Sequence, residues 1–389
     1  MTADPPFQRN LSRIQGPALL AGAVGLGFCL VGMLLDASQF FPSYLFGILF
    51  WTGLVLGCFP LLMIHHLAGG RWGFVIRRFL ETALMTLPLL FLLFLPILFG
   101  LSELYPWARP ELVAGNEILA QQTLYLNPTA FGVRVLLFFM IWQALAYFLN
   151  RWSFQQDEAE DPAPTRRLRA LSAPGLILYA FTVTFASIDW IMSVEADWYS
   201  SLFPALVAMG QMLATLAFSI VLLGLFQRHP MLSKALTKTH FHHLGKLLLT
   251  FVLLWSYLAF SQLIVIYSGN LPHHISWYLH RIAGGWIWVV LALALFHFAL
   301  PFLLLLSRDL KENWRPLGLT AGAILAASVV SIFWYVAPSF HPKGFALHWL
   351  DVAAFVGIGG IWTGLFLQLL KGRRWLPRND PRFVIAHGS

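Results

Sequence analysis

The chain has 389 residues, of which 58% are hydrophobic and 11% charged, and its mean hydropathy is +0.71. A soluble domain carries about 25% charged residues, so an ordinary water-soluble enzyme is excluded. The net charge of +8 calls for no nucleic-acid partner, because the basic residues sit in the connections between apolar runs.

Ten such runs can be drawn: 17–35, 41–64, 82–101, 131–148, 174–192, 201–225, 247–267, 282–306, 317–336 and 349–370. Each is near the roughly 20 residues that carry a helix across a bilayer, so the fold class is an all-α polytopic membrane protein with ten transmembrane helices. The first run continues into Asp36 with no small-residue cleavage site, and is read as a retained span rather than a leader. The connection 102–129 holds Tyr105-Pro106-Trp107 and a mildly amphipathic run, read as an interfacial helix. The connection 150–172 is rich in Pro, Asp and Glu and reads as a solvated linker.

Charges in these connections alternate. Of the 25 Lys and Arg residues, 21 fall on the side that holds both chain ends, leaving Arg109, Arg134, Arg281 and Lys343 on the other. By the positive-inside rule both termini are cytoplasmic.

A short internal repeat organises the spans. The second begins Ser43-Tyr44-Leu45-Phe46 and the sixth follows Ser200-Ser201-Leu202-Phe203; two spans later an outer arginine precedes the run, Arg134 in one case and Arg281 in the other. Two four-helix bundles, flanked by one helix at each side, are therefore expected. The chain divides into a cytoplasmic segment 1–16, a flanking helix with its outer turn 17–40, a first bundle 41–192, a second bundle 193–338, a last flanking helix 339–370 and a cytoplasmic segment 371–389.

Charge inside lipid is costly and marks candidate functional positions; Glu81, Asp189, His297, His348 and Asp351 qualify. At helical spacing Tyr179, Thr182, Asp189 and Ser193 share a face, as do Gln211, Thr215 and Ser219, and then Thr250, Tyr257, Ser261 and Ser268. These stripes and His297 would line a proton path, with Glu81, His65 and His66 near its inner entrance. The alternative for each hydroxyl is a bond back to its own helix. At the outer mouth, His273, His274, His280 and Arg281 follow a Gly-Asn-Leu-Pro turn, where histidines titrate near neutral pH. No Cys-x-x-Cys-His occurs, and His297 has no histidine at matching depth to share a haem. No catalytic, cofactor-binding or metal-ligating residue is therefore expected in this chain.

Several segments together carry a resemblance. Phe260-Ser261-Gln262 with Ile266-Tyr267-Ser268-Gly269-Asn270-Leu271-Pro272, and Trp277-Tyr278-Leu279-His280-Arg281, resemble the ActF membrane subunits of alternative complex III. So do Asp189-Trp190-Ile191-Met192-Ser193, Trp198-Tyr199-Ser200-Ser201-Leu202-Phe203, and His65-His66-Leu67-Ala68-Gly69-Gly70-Arg71-Trp72-Gly73. The likeness runs over essentially the whole length. It implies a subunit of a quinol:electron-acceptor oxidoreductase in a bacterial inner membrane, related to polysulfide-reductase-like membrane subunits. Haem c and iron–sulfur clusters would then lie in partner subunits, and quinol in a homologous ten-helix neighbour. This chain would serve as scaffold and proton path. At His273-His274 the sequence departs from the acidic residues expected after the Asn-x-Pro turn, so no proton-loading carboxylate carries over there. Two other readings of the residues stay open: a quinol-binding subunit in its own right, using His297 and Asp189, and a secondary transporter.

Overall fold

Lipid offers a backbone no hydrogen-bond partner, so an apolar run must satisfy its own N–H and C=O groups, which a helix does within one segment. The computed structural model describes residues 5–158, 161–195, 198–227, 229–377 and 379–380, and no strand occurs among them. Nine of its helices are long and apolar enough to cross a membrane, and a bent pair supplies a tenth span when taken together. The chain is a helical membrane protein. Arg228, Arg378, Arg382 and part of the 150–172 connection (Ala159 and Glu160) lie outside the described residues, as do the side chains of Arg9, Lys234, His273 and His274.

Helix α1 (Pro5–Leu35) is followed by α2 (Ala37–Leu56), α3 (Cys58–Ala68), α4 (Arg71–Leu84) and α5 (Leu87–Phe99). Four one-turn pieces between Leu101 and Gln122 then lead to α6 (Pro128–Glu158) and α7 (Ala163–Trp190). The second half comprises α8 (Phe203–Phe226), α9 (Lys238–Gly269), α10 (Pro272–Ile282), α11 (Trp286–Leu306), α12 (Arg308–Glu312), α13 (Trp314–Phe340) and α14 (Trp349–Lys371). The α2–α3 segment is the centre of the molecule: 94% of its most apolar window is buried, against 22% for α1 and for α11. Around it α7 packs on α6, α3 and α8, and α5 bridges α2 to α6. Helix α8 packs on α9, α13 and α2, while α11 lies between α9 and α13.

The breaks are set by proline and glycine. Pro60 has no N–H for the Leu56 carbonyl, and Pro88 none for Leu84. The helix therefore breaks at Gly57, and α4 meets α5 at 47°. Span 82–101 is thus not one straight helix: it contains the break between α4 and α5. Pro301 likewise withdraws the donor owed to the His297 carbonyl, and residues Ala294–Ala299 widen into a π-turn inside α11. Span 282–306 also starts later than expected. Gly284 and Gly285 have φ of +55° and +94°, a region open to glycine, and α11 begins only at Trp286. A Cβ on Gly284 would come within 2.4 Å of the Gly344 Cα, since the two backbones cross there.

The flanking helices do not stand on opposite sides. Helices α1 and α14 run against each other, and α14 packs on α2, α4 and α5. The cause is glycine: a Cβ on Gly25 would lie 2.6 Å from the Gly357 backbone, and one on Gly360 2.4 Å from Gly22. In lipid, where burying apolar surface gives helices little drive to associate, such small-residue faces let backbones approach and dispersion hold them.

Candidate functional site

Near the middle of the helices, α2, α7, α8, α9, α11 and α13 leave a cavity with room of about 40 Å³ for the centres of water molecules. Gly53 makes space for the Gln211 side chain, whose Cγ would be 3.3 Å from a Cβ at that position. Tyr179 donates to Gln211 Oε1 at 3.0 Å. On the opposite wall His297 Nε2 is 3.1 Å from Ser328 Oγ, and the Trp255 ring lies 4.1 Å from the imidazole, centre to centre. Among the polar atoms here that are buried without a hydrogen-bond partner among the described residues are Thr52 Oγ1 and His297 Nδ1. The π-turn that Pro301 imposes is what carries His297 on α11 (1% exposed). The cavity lining has hydroxyls, an amide and an imidazole but no carboxylate, lysine or arginine.

Two of the arginines at the basic-poor end, Arg134 and Arg281, are neutralised from one stretch of chain. Arg134, in the first turns of α6, donates from Nε to Asp189 Oδ2 at 2.6 Å and from Nη2 to Oδ1 at 3.2 Å, over the face of Tyr125 at 3.9 Å. Arg281, at the end of α10, donates to Glu195 Oε1 at 2.5 Å, to the Tyr335 carbonyl at 2.7 Å and to Ser339 Oγ at 2.8 Å. It lies 3.8 Å above Trp277, which stacks on Trp198 at 4.5 Å. Burial pulls the Arg281 guanidinium below its ordinary value, and the Glu195 carboxylate beside it opposes that shift. His280 Nδ1 stands 3.5 Å from the other oxygen of Glu195. Asp189 and Glu195 close the same chain segment at the end of α7, so one stretch holds an arginine from each half.

At the basic end three more arginines are buried. Glu81 accepts from Arg77 Nε at 2.7 Å, from Arg78 Nη1 at 2.7 Å, from Arg373 Nη1 at 3.2 Å and from Ser153 Oγ at 2.6 Å. Arg78 also grips Asp157 with one nitrogen at 2.6 and 2.5 Å, and Arg77 reaches Asp380 at 2.9 Å. Three guanidinium groups thus meet three carboxylates, and the chain beyond α14 is drawn back onto α4 and α6. Burial lowers Arg373 to about 10, with Glu81 holding against it.

Of the expected path residues, Gln211 and His297 line the cavity, and Tyr179 is bonded to Gln211 behind that lining. The others do not. Tyr257 is 65% exposed on the outer face of α9, and Thr250 and Ser268 on the same stripe are exposed too, while Ser261 is half-buried outside the cavity. The interior of α9 is instead its aromatic face, Trp255 above all. Thr182 turns to α6, accepting from Trp142 Nε1 at 2.9 Å, and bonds back to the Leu178 carbonyl. Asp189 does not line the cavity, so it shares no site with His297. Glu81 belongs to the ionic cluster and is fully buried rather than open to water. His65 and His66 are buried, with His65 packed edge-on to Phe74 at 5.1 Å and over Gly73. Asp157, in the connection read as solvated, is 7% exposed.

Sequence reasoning missed Glu195 and the Ser153–Asp157 face of α6. The signal for Glu195 was present: an arginine on the basic-poor side needs a carboxylate, and Glu195 is among the nearest in sequence to the outer end of α7. For Ser153–Asp157 no such signal exists, because the partners Arg77 and Arg78 are more than 70 residues away. No group of three or more His, Cys, Asp or Glu among the described residues converges on a point that would hold a metal. Compared with models of known families and with curated proteins, the chain matches none.

Proposed function

We infer that the chain is a membrane subunit of a quinol:electron-acceptor oxidoreductase of the alternative complex III kind, anchoring redox subunits and carrying protons through the cavity between its halves. The observation that carries the proton role is the cavity itself: a tyrosine, an amide and an imidazole around a space that admits about three or four waters at about 10–15 Å³ each. Orphaned buried polar atoms cost about 1–3 kcal/mol each, which favours water beside Thr52 and His297. The same size argues against quinol within it, since ligand pockets run to about 300–1,000 Å³. Quinol would then sit in the homologous ten-helix neighbour, and haem c and iron–sulfur clusters in other partners.

The family reading rests on the resembling segments, and their meeting supports it. Residues 189–203 and 277–281 join through Arg281–Glu195, Trp198–Trp277 and Phe203–Trp277. On this reading α4 and α5 are one bent span, giving ten. The contacts among α2–α3, α4–α5, α6 and α7, and among α8, α9, α11 and α13, support two four-helix bundles. The basic end would face the cytoplasm of a bacterium, with both termini there.

The test is purification of the tagged chain in mild detergent. Haem absorption bands with several co-purifying subunits support the assignment; a colourless, solitary protein, under conditions where such a complex survives, overturns it. In the assembled complex Gln211→Leu should cut proton release per electron at least twofold, and unchanged stoichiometry removes the cavity from the path.

A further inference from the structure

Burying the stem of a lysine with no anion beside its ammonium leaves a cation for a ligand to match, and the basic end does so beside α12. This short helix packs across the first turns of α9. The stem of Lys311 lies over Gly245, where a Cβ would fall 2.6 Å from its Cγ, so glycine alone lets the lysine pass. Lys311 is 7% exposed, yet it makes no ion pair and no hydrogen bond with a described residue. Its surroundings are mostly basic. His242 lies in the field of Lys246, Lys311 and Arg308, and its neighbour His243 in that of Lys246 and Arg71. The acids that face this group are Glu312, which accepts from Arg308 at 2.7 Å, and Asp309 beside Arg308. His242 Nδ1 is buried without a partner among the described residues. Along the adjoining surface, α9 turns Leu253 and Leu254 outward and α11 turns out Leu303 and Leu306.

We propose that this corner binds the phosphate of an anionic phospholipid, with the acyl chains lying on the leucine surface of α9 and α11. The phosphate supplies the anion that Lys311 lacks; Lys246, exposed and one turn from His242, reaches it from the α9 side. Basic clusters between transmembrane helices at a membrane surface take such headgroups, each lysine contributing about a fivefold factor in affinity. The outward leucines favour a lipid over free phosphate. This site stands or falls independently of the respiratory reading, because it needs only a bilayer.

Native mass spectrometry of the full chain in detergent, titrated with phosphatidylglycerol, phosphatidylcholine or inorganic phosphate, tests the proposal. Phosphatidylglycerol should bind at least tenfold tighter than phosphatidylcholine. Lys246→Gln should weaken it about fivefold, and Lys246→Gln with Lys311→Met about 25-fold, methionine keeping the stem over Gly245. Lys343→Gln, at the opposite end, should leave binding unchanged. Equal affinity for the two lipids, or equal weakening by Lys343→Gln, overturns the site. Displacement of phosphatidylglycerol by millimolar inorganic phosphate overturns the assignment to lipid. Since Lys246 is exposed, its single variant remains informative even if the double variant fails to fold.

Discussion

At the basic end three arginines and three carboxylates are buried together, whereas the central cavity between the halves is lined by apolar side chains and a few polar groups, all of them neutral. Both regions lie within the helix packing, but their energetics differ. A buried charge must be matched, because an unpaired ion in low dielectric forfeits several kcal/mol of hydration. A neutral hydrogen-bonding group loses far less and tolerates an exchangeable water as partner. The ionic cluster therefore fixes α4, α6 and the chain after α14 in one arrangement. The cavity keeps groups whose partners can change, which proton transfer needs.

The sharpest way to break the comparison is Glu81→Ala. It leaves Arg77, Arg78 and Arg373 facing one another and should cost about 3–5 kcal/mol, seen as a large fall in thermal midpoint in detergent. Adding Arg373→Gln should recover part of the loss; no recovery would mean that the arginines are held by something other than Glu81. Next, Arg134→Gln leaves Asp189 buried and should cost about 3 kcal/mol, with Arg134→Gln/Asp189→Asn much nearer to wild type. A double-mutant cycle with no coupling would sink the pairing.

In the cavity the effects reverse in kind. His297→Phe should cost only about 1 kcal/mol, since Ser328 keeps its bond to the Ile324 carbonyl at 2.8 Å. A loss as large as that at Glu81 would show that the imidazole is structural. Smallest of all is Asp36, which caps α2 from outside the membrane span. Hydrogen bonds from Ser38 Oγ and the Gln39 N–H hold its carboxyl below the ordinary value. A depressed carboxyl stabilises at neutral pH and loses that contribution as pH falls through its own lowered value. The gap between wild type and Asp36→Ala, about 1 kcal/mol at most, should close on acidification below the ordinary aspartate range. A gap that persists would assign it to packing.

Most of the helical architecture was legible because apolar length is a property of the chain taken locally. The bends at Pro60, Pro88 and Pro301 follow from a missing N–H, and each can be read from one residue. Stripe reasoning was weaker. Tyr257 and Ser261 sit at proper helical spacing, yet periodicity only says that residues share a face, not which face turns inward. In lipid the outward face need not be polar, so the contrast that orients a helix in water is absent. The ionic cluster was illegible for another reason: its members come from 77–81, 153–157 and 373–380, and nothing local to any of them announces the others.

The glycine contact between α1 and α14 also bears on how the chain is made. A ribosome must finish residue 349 and beyond before the face of α1 carrying Gly22 and Gly25 meets its partner. Until then α1 has its small-residue face against lipid or an insertion factor. This contact therefore forms only after the helices between α1 and α14 have been made, and a chain truncated before Trp349 would leave α1 without its main neighbour.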